Sequence, residues 1–363
     1  MNMVTRIGIG LAAVVAVGLL FTLEYPPVDT VQRGFRGVGM QENYDPKIIR
    51  AGFDINQVPD PQPTVDPAGQ PSSEAYQNVQ VLGDVDAAEF LRLMAAITSW
   101  VAPEQGCGYC HNLNNLADDS LYTKRVARRM FQMTRQINAN WQTHVQNVGV
   151  TCYTCHRGHP VPSQIWFNNP GPPHPMGVAE TGIGKNLPAP AAGLASLPLD
   201  PYTPFLEEAQ PIRVQSTTAL PTGDRESIKQ AEWTYALMMH FANSLGVNCT
   251  YCHNSRAFSD WSQSTPQRVT AWYGIRMVRD QNVDYMASLE GTFPHYRLGQ
   301  DGDVAKVNCA TCHQGAYKPL YGVSMVKDYP ELEVAGNQAG PTYPEPPTLV
   351  PAATADGDPQ PWH

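Results

Sequence analysis

The amino-acid sequence predicts a mainly α-helical protein with extensive coil, and three observations carry that expectation. Four stretches repeat apolar residues at helical spacing. Thirty-three prolines and 29 glycines among 363 residues gather in a few stretches between them, which favours turn-rich, extended chain there. One uncharged apolar run stands near the N-terminus. The length suggests about two domains. The formal charge is −9 and no basic stripe with interleaved aromatics occurs, which argues against nucleic acid as a partner. An acidic surface suits a basic protein partner, although most such surfaces are only solvated faces.

Taken in chain order, the first element is "IGIGLAAVVAVGLLFTL", residues 7–23, an apolar run of 17 between Arg6 and Glu24. A span needs about 17 to 25 residues, so this run is short but sufficient. A cleaved signal peptide is the competing reading. No convincing A-x-A site follows the run, and no cysteine precedes Cys107 to carry a lipid. A retained transmembrane anchor over residues 1–24 is therefore expected. Arg6 fits a cytoplasmic N-terminus, with the bulk of the chain on the periplasmic side.

Residues 25–83, including "PDPQPTVDPAGQP", read as an extended proline-rich arm. The first helix, "DVDAAEFLRLMAAITSWV", has Asp86 and Glu89 spaced as a capping box and ends before Pro103. The second is expected from about 120 to 148, stopped by Gly149. Residues 160–224, opening "PVPSQIWFNNPGPPHPMG", form a connecting segment rich in proline and glycine. The third helix runs from about 226 to 245 and stops at Gly246. The fourth has Thr265 as N-cap, Pro266 at its first position, and ends at Gly291. Residues 317–363 read as a proline-rich tail, and "AGPTYPEPPTLVPAATADGDPQPWH" has the composition of a disordered or surface-clinging segment.

All eight cysteines fall in pairs separated by two residues: Cys107 and Cys110, Cys152 and Cys155, Cys249 and Cys252, Cys309 and Cys312. Each pair is followed at once by histidine, at His111, His156, His253 and His313. C-x-x-C alone fits a zinc half-site, a redox pair or a haem site; the histidine selects the last. Two thiols add to the porphyrin vinyls and the next imidazole meets the iron. Four such motifs imply four covalently bound haem c groups, and an attachment compartment outside the bacterial cytoplasm. The first and third motifs read "CGYCHN" and "CTYCHN"; the second and fourth read "CYTCHRG" and "CATCHQG". This A, B, A, B order points to a duplicated two-haem unit. The expected fold is thus a multihaem c-type cytochrome of two pseudo-two-fold-related dihaem lobes, residues 84–159 and 225–316, behind one N-terminal transmembrane helix.

The occupant of each sixth coordination position separates carriers from catalysts: methionine opposite histidine raises the reduction potential, and a closed iron has no room for substrate. Met94 lies thirteen residues before Cys107 and Met238 eleven before Cys249, both after leucine. A methionine on an amphipathic helix is ordinarily core, but recurrence at matched positions favours these two as ligands, and the Leu-Met alignment prefers Met238 to Met239. The second helix carries Met130, Met133 and His144. On one continuous helix, Met130 and His144 would lie about 40° apart in azimuth and about 21 Å apart along the axis, so one face would serve two irons. Met133, one turn on, stays open by geometry. For the fourth haem, Met277, His295, His240 and His144 all remain candidates. Arg128, Arg129, Arg268, Arg276 and Arg279 are candidates for haem propionates, with an exposed helix face as the competing reading.

The motifs, the anchor and "VARRMFQMTRQINANWQTHVQNVGVTCYTCHRGHPVPSQIW" together resemble the tetrahaem cytochrome c subunit of purple-bacterial photosynthetic reaction centres. The resemblance runs from "GFRGVGM" near residue 34 to "YKPLYG" after the last motif. It implies Met94 and His111 on the first iron, Met130 and His156 on the second, and Met238 and His253 on the third. It implies His144 opposite His313 on the fourth, which makes that haem lower in potential than its methionine-ligated neighbours. Some family members are held by lipid on an N-terminal cysteine; this sequence departs from them, which favours a transmembrane anchor.

The resemblance implies an electron-transfer subunit, not an enzyme. It would take electrons from a soluble periplasmic cytochrome c or high-potential iron–sulfur protein and re-reduce the photo-oxidised bacteriochlorophyll special pair. The third-motif haem would be nearest the pair and the first most distant. Partners implied are the reaction-centre membrane subunits, the soluble donor and the surrounding light-harvesting ring. One rival is a membrane-anchored tetrahaem quinol dehydrogenase, disfavoured by the methionine pattern and the long proline arms. Another is a multihaem reductase with one open iron.

Overall fold

The computed structural model describes residues 3–23, 29–33, 40–44, 46–168, 190–212, 214 and 228–333. Helix α1, Met3–Thr22, is apolar apart from Arg6 and its two threonines and has no buried residue. Its 20 residues rise about 30 Å, enough to cross a hydrocarbon layer. Strands β1 (Asp29–Arg33) and β2 (Met40–Tyr44) form an antiparallel hairpin with Asp29 opposite Tyr44. Helix α2, Pro46–Ile55, follows, then coil to the short helix α3, Ser72–Ala75.

Helix α4 is Ala87–Val101, and Asp86 caps it by accepting from the Ala88 amide at 2.9 Å. The expected capping box is not completed by Glu89, which pairs with Arg92 at 3.1 Å. The second predicted helix is two: α5, Tyr122–Asn140, and α6, Gln142–Val145. They part at Trp141, whose backbone leaves the helical region (φ −114°, ψ 29°) while its indole enters the core. Helix α6 stops at Gln146, with Gly149 beyond it at φ +62°. The single-face projection of Met130 and His144 therefore does not hold, because burial of one indole re-aims the chain between them.

After α7, Cys152–His156, strand β3 (Ile165–Trp166) pairs antiparallel with β4 (Lys306–Val307). Helix α8 is Ile228–Leu245, and residues 215–227, with Glu226, lie outside the described residues. Helix α9, Pro266–Asp280, passes into a wide turn over Gln281–Met286 and a tight one over Ala287–Leu289, so it does not stay α-helical to Gly291. The Asn282 carboxamide in that turn donates to Leu206 O and Val307 O and accepts from the Val307 amide. Thr265 makes no cap bond; its hydroxyl donates to Tyr251 O at 2.6 Å. Helix α10 is Cys309–His313.

Two apolar cores hold these elements. One joins Leu82, Leu93, Trp100 and Phe131 to Leu320, Val326, Tyr329 and Leu332. The other joins Ile137 and Trp141 to Tyr202, Phe205 and Leu206 and to Leu237, Ile275 and Val278. Residues 317–333 thus contribute Leu320, Met325, Val326, Tyr329 and Leu332 to the core; the tail from Ala339 lies outside the described residues.

Buried arginines satisfy the carbonyls of the coil segments, which have no sheet to pair with. Arg92 donates to Gln62 O, Pro63 O and Asp328 O and lies over the Tyr329 ring. Arg135, 1% exposed, makes a two-pronged pair with Asp84 at 2.9 and 2.8 Å and donates to Val81 O and Glu331 O. Arg135→Ala is expected to cost about 2 kcal/mol, because it leaves the Val81 and Glu331 carbonyls without this donor, while exposed Asp84 returns to water. Arg135→Lys should recover only part, since an ammonium lacks the fork. Thermal unfolding of the full chain checks both.

Candidate functional site

The four cysteine pairs sit on short helical turns of two kinds. The A-type motifs form tight turns, Gly106–Tyr109 and Cys249–Tyr251, and the B-type motifs are α7 and α10. In both A motifs the asparagine after the histidine bridges three residues on, Asn112 to Asn115 and Asn254 to Ala257. Its side chain accepts from the amide two residues on, at Asn114 and Arg256. A threonine from the next helix bonds the tyrosine carbonyl of each, Thr123 to Tyr109 and Thr265 to Tyr251. Both B motifs are closed by a reciprocal capping box, Thr151 with Thr154 and Asn308 with Thr311. Both end on a residue in the left-handed region, Arg157 at φ 48° and Gln314 at φ 46°, followed by glycine.

Each motif imidazole is oriented by a backbone carbonyl at Nδ1. In the A type it is five residues on: His111 to Leu116 at 3.1 Å and His253 to Phe258 at 2.8 Å. In the B type it is three residues on: His156 to His159 at 2.8 Å and His313 to Ala316 at 2.9 Å. A carbonyl there fixes the tautomer and leaves Nε2 unprotonated and able to meet a metal. Burial lowers the pKa of His156 and His253 and takes His313 to about 4, which keeps the rings neutral.

The structure brings His144 to His313, with ring centres 6.2 Å apart. Two imidazoles sharing one metal stand about 6 Å apart, given metal–nitrogen bonds of about 2.0–2.1 Å on each side. His144 Nδ1 is held by Thr270 O at 2.9 Å, as in the motif histidines. Gly274 of α9 makes room for it, since a Cβ there would lie 2.5 Å from His144 Cε1. Neither Thr270 nor Gly274 carries a sequence signal for this role; both act through backbone.

The methionines differ in surroundings. Leu93 and Leu237 are both fully buried, and the residue after each, Met94 or Met238, flanks the core. Six residues beyond each methionine, Trp100 O and Ser244 O accept at 2.8 Å from the glycines that end the B motifs, Gly158 and Gly315. That shared register aligns Met238 with Met94; Met239 packs with Ala192 and Ala236 instead. Met133 packs on the second core and Met277 is buried in it, whereas half-buried Met130 belongs to neither cluster. His240 is buried and engaged by the Tyr202 hydroxyl and by Ser244; His295 is exposed.

The two B motifs meet directly. Cys155 Sγ and Cys312 Sγ are 3.1 Å apart. Arg157 donates to Cys312 O at 3.2 Å and Gln314 donates to Cys155 O at 3.3 Å, a reciprocal clasp that the sequence did not announce.

These residues fit a covalently held haem. Burial pushes the Cys110 and Cys252 thiols up to about 11 and those of Cys152 and Cys309 up to about 12, surroundings that suit a neutral thioether better than a thiolate. Among the described residues, no three metal-binding side chains gather as an ion site of their own. Buried donors without a protein partner, Gln136 Nε2, Trp166 Nε1, Asn248 Nδ2 and Arg297 Nε, suit an anionic propionate. The arginines singled out by sequence have protein partners. Arg128 pairs with Asp119 and Arg129 binds Asp284 O. Arg268 lies over Trp261 and Arg276 over Trp272, while buried Arg279 donates to Phe205 O.

Comparison with known proteins identifies the family. The family model described as photosynthetic reaction centre cytochrome C subunit matches residues 24–333. The chain is 54% identical to the photosynthetic reaction center cytochrome c subunit of Rubrivivax gelatinosus, covering 92% of each. It is 50% identical to that of Thermochromatium tepidum, covering 88% of this chain and 78% of the relative. It is 42% identical to that of Roseobacter denitrificans, covering 89% of each. The chain belongs to the family of photosynthetic reaction centre cytochrome c subunits.

Proposed function

We propose that this reaction-centre electron-transfer subunit holds four haem c groups in two dihaem lobes. It draws electrons from a soluble periplasmic carrier, a small cytochrome c or a high-potential iron–sulfur protein, and re-reduces the bacteriochlorophyll pair. Helix α1 anchors it, with the bulk of the chain on the periplasmic side and the light-harvesting ring as a neighbour. It is a carrier without bond-making chemistry. When bound, haem c supplies one-electron exchange between ferrous and ferric iron.

The chain's own residues supply attachment, ligation and spacing. The eight motif cysteines attach the groups, and His111, His156, His253 and His313 present Nε2 from carbonyl-fixed rings. Met94, Met130 and Met238 close three of the sixth positions and His144 closes the fourth. The paired rings of His144 and His313 are the observation that carries this reading, because they join a helix of one lobe to a motif of the other. The packing of the helices supports the order first, second, fourth, third. Helix α4 packs on α7, α7 meets α10 at Cys155 and Cys312, and α10 packs on α8.

The direct test is flash illumination of isolated membranes, which should oxidise haem within the reaction-centre complex; haem that stays reduced after the flash sinks the proposal. Met130→Leu should abolish methionine ligation at one of three such haems, read from the red-end absorption band, while Met133→Leu leaves all three. Gly274→Ala should displace His144 and remove the bis-histidine electron paramagnetic resonance signal, leaving the methionine-ligated signals in place.

A further inference from the structure

We propose that Arg157 acts as a fixed, half-buried cation that raises the reduction potentials of the second and fourth haems together. The inference rests on the four-haem reading above. The two B motifs clasp each other through equivalent left-handed residues, but the pair is chemically unequal: arginine on one side, glutamine on the other. Every hydrogen-bond partner of Arg157 is a neutral oxygen, at Thr154 O (3.1 Å), Ile55 O (3.0 Å), Asn56 Oδ1 (3.1 Å) and Cys312 O (3.2 Å). No carboxylate among the described residues pairs with it.

The arm covers this charge. Asn56 is 4% exposed and donates to Gln314 O, and Gln57 O accepts from the Tyr153 hydroxyl at 2.9 Å. The guanidinium thus sits at the junction of two motifs, directly after one proximal histidine and on the carbonyl of the other motif's second cysteine. A cation near a haem disfavours the more positive ferric state. At an effective dielectric near 20, a unit charge about 10 Å away changes such an equilibrium by about tenfold. Arg157 is a tuning residue, since it touches neither iron nor donor.

The test is a redox titration of the haem-bearing complex, followed by optical absorption and electron paramagnetic resonance. Arg157→Gln copies the amide of Gln314 and removes the charge. It should lower two of the four one-electron midpoints, one of them bis-histidine, by about tenfold each, or ~59 mV, and leave the other two in place. Arg157→Lys, which keeps the charge, should hold all four. Asn56→Asp sets a carboxylate against the same guanidinium and should lower the same two, even if Arg157→Gln fails to fold. Unchanged midpoints in both charge-altering variants, an equal shift of all four, or a shift in Arg157→Lys as large as in Arg157→Gln would overturn the inference. The wild-type haem count and the bis-histidine signal test the underlying reading separately: four haems with that signal and silent variants refute only the charge effect.

Discussion

The constraint on which the site depends is a backbone carbonyl at Nδ1 of each motif imidazole. A free imidazole rotates and exchanges tautomers; one bonded to a fixed carbonyl presents Nε2 in one direction. The carbonyl lies five residues on in the first and third motifs and three on in the second and fourth. The difference follows from local sequence. Asparagine after histidine folds the A motifs into a wider loop, whereas a left-handed residue followed by glycine turns the B motifs back within three residues. The alternation visible in the letters is therefore an alternation of loop geometry around one shared function.

A second requirement is to fix long stretches of chain that have neither helix nor sheet to satisfy them. The molecule does this with buried side chains from its few helices. Arg92 and Arg135, together with Asn138, reach carbonyls of the arm and of residues 328–332. Their cost of burial is offset by three to five hydrogen bonds each. Residues 317–333 thereby become part of the core that supports Met94, although they lie far from it in sequence. Extended segments of this kind leave little slack, which suits a molecule whose proposed task is to keep redox centres at constant separation.

The junction of α7 and α10 links these two themes. Two equivalent turns meet sulfur to sulfur, and each donates to the other's cysteine carbonyl. The arm then closes over them at Ile55–Gln57. A contact between motifs 157 residues apart in sequence is the strongest structural argument for an order of sites that differs from the order of motifs in the chain.

The sequence by itself determined what is local and chemical. It showed the apolar helix near the N-terminus, the four C-x-x-C-H motifs in two alternating kinds, the helices that carry Met94, Met130 and Met238, and the family resemblance. These depend on residue type at short spacing, which one-dimensional periodicity records. Only the tertiary structure decided where helices break and what meets across distance. Trp141 interrupts the second helix because its indole belongs to a core supplied by residues of the other half. Asn282 widens the end of the fourth because it serves Leu206 and Val307. The pairing of His144 with His313 was implied by the family resemblance alone, and the space given by Gly274 had no signal at all, since both depend on helices brought together by packing.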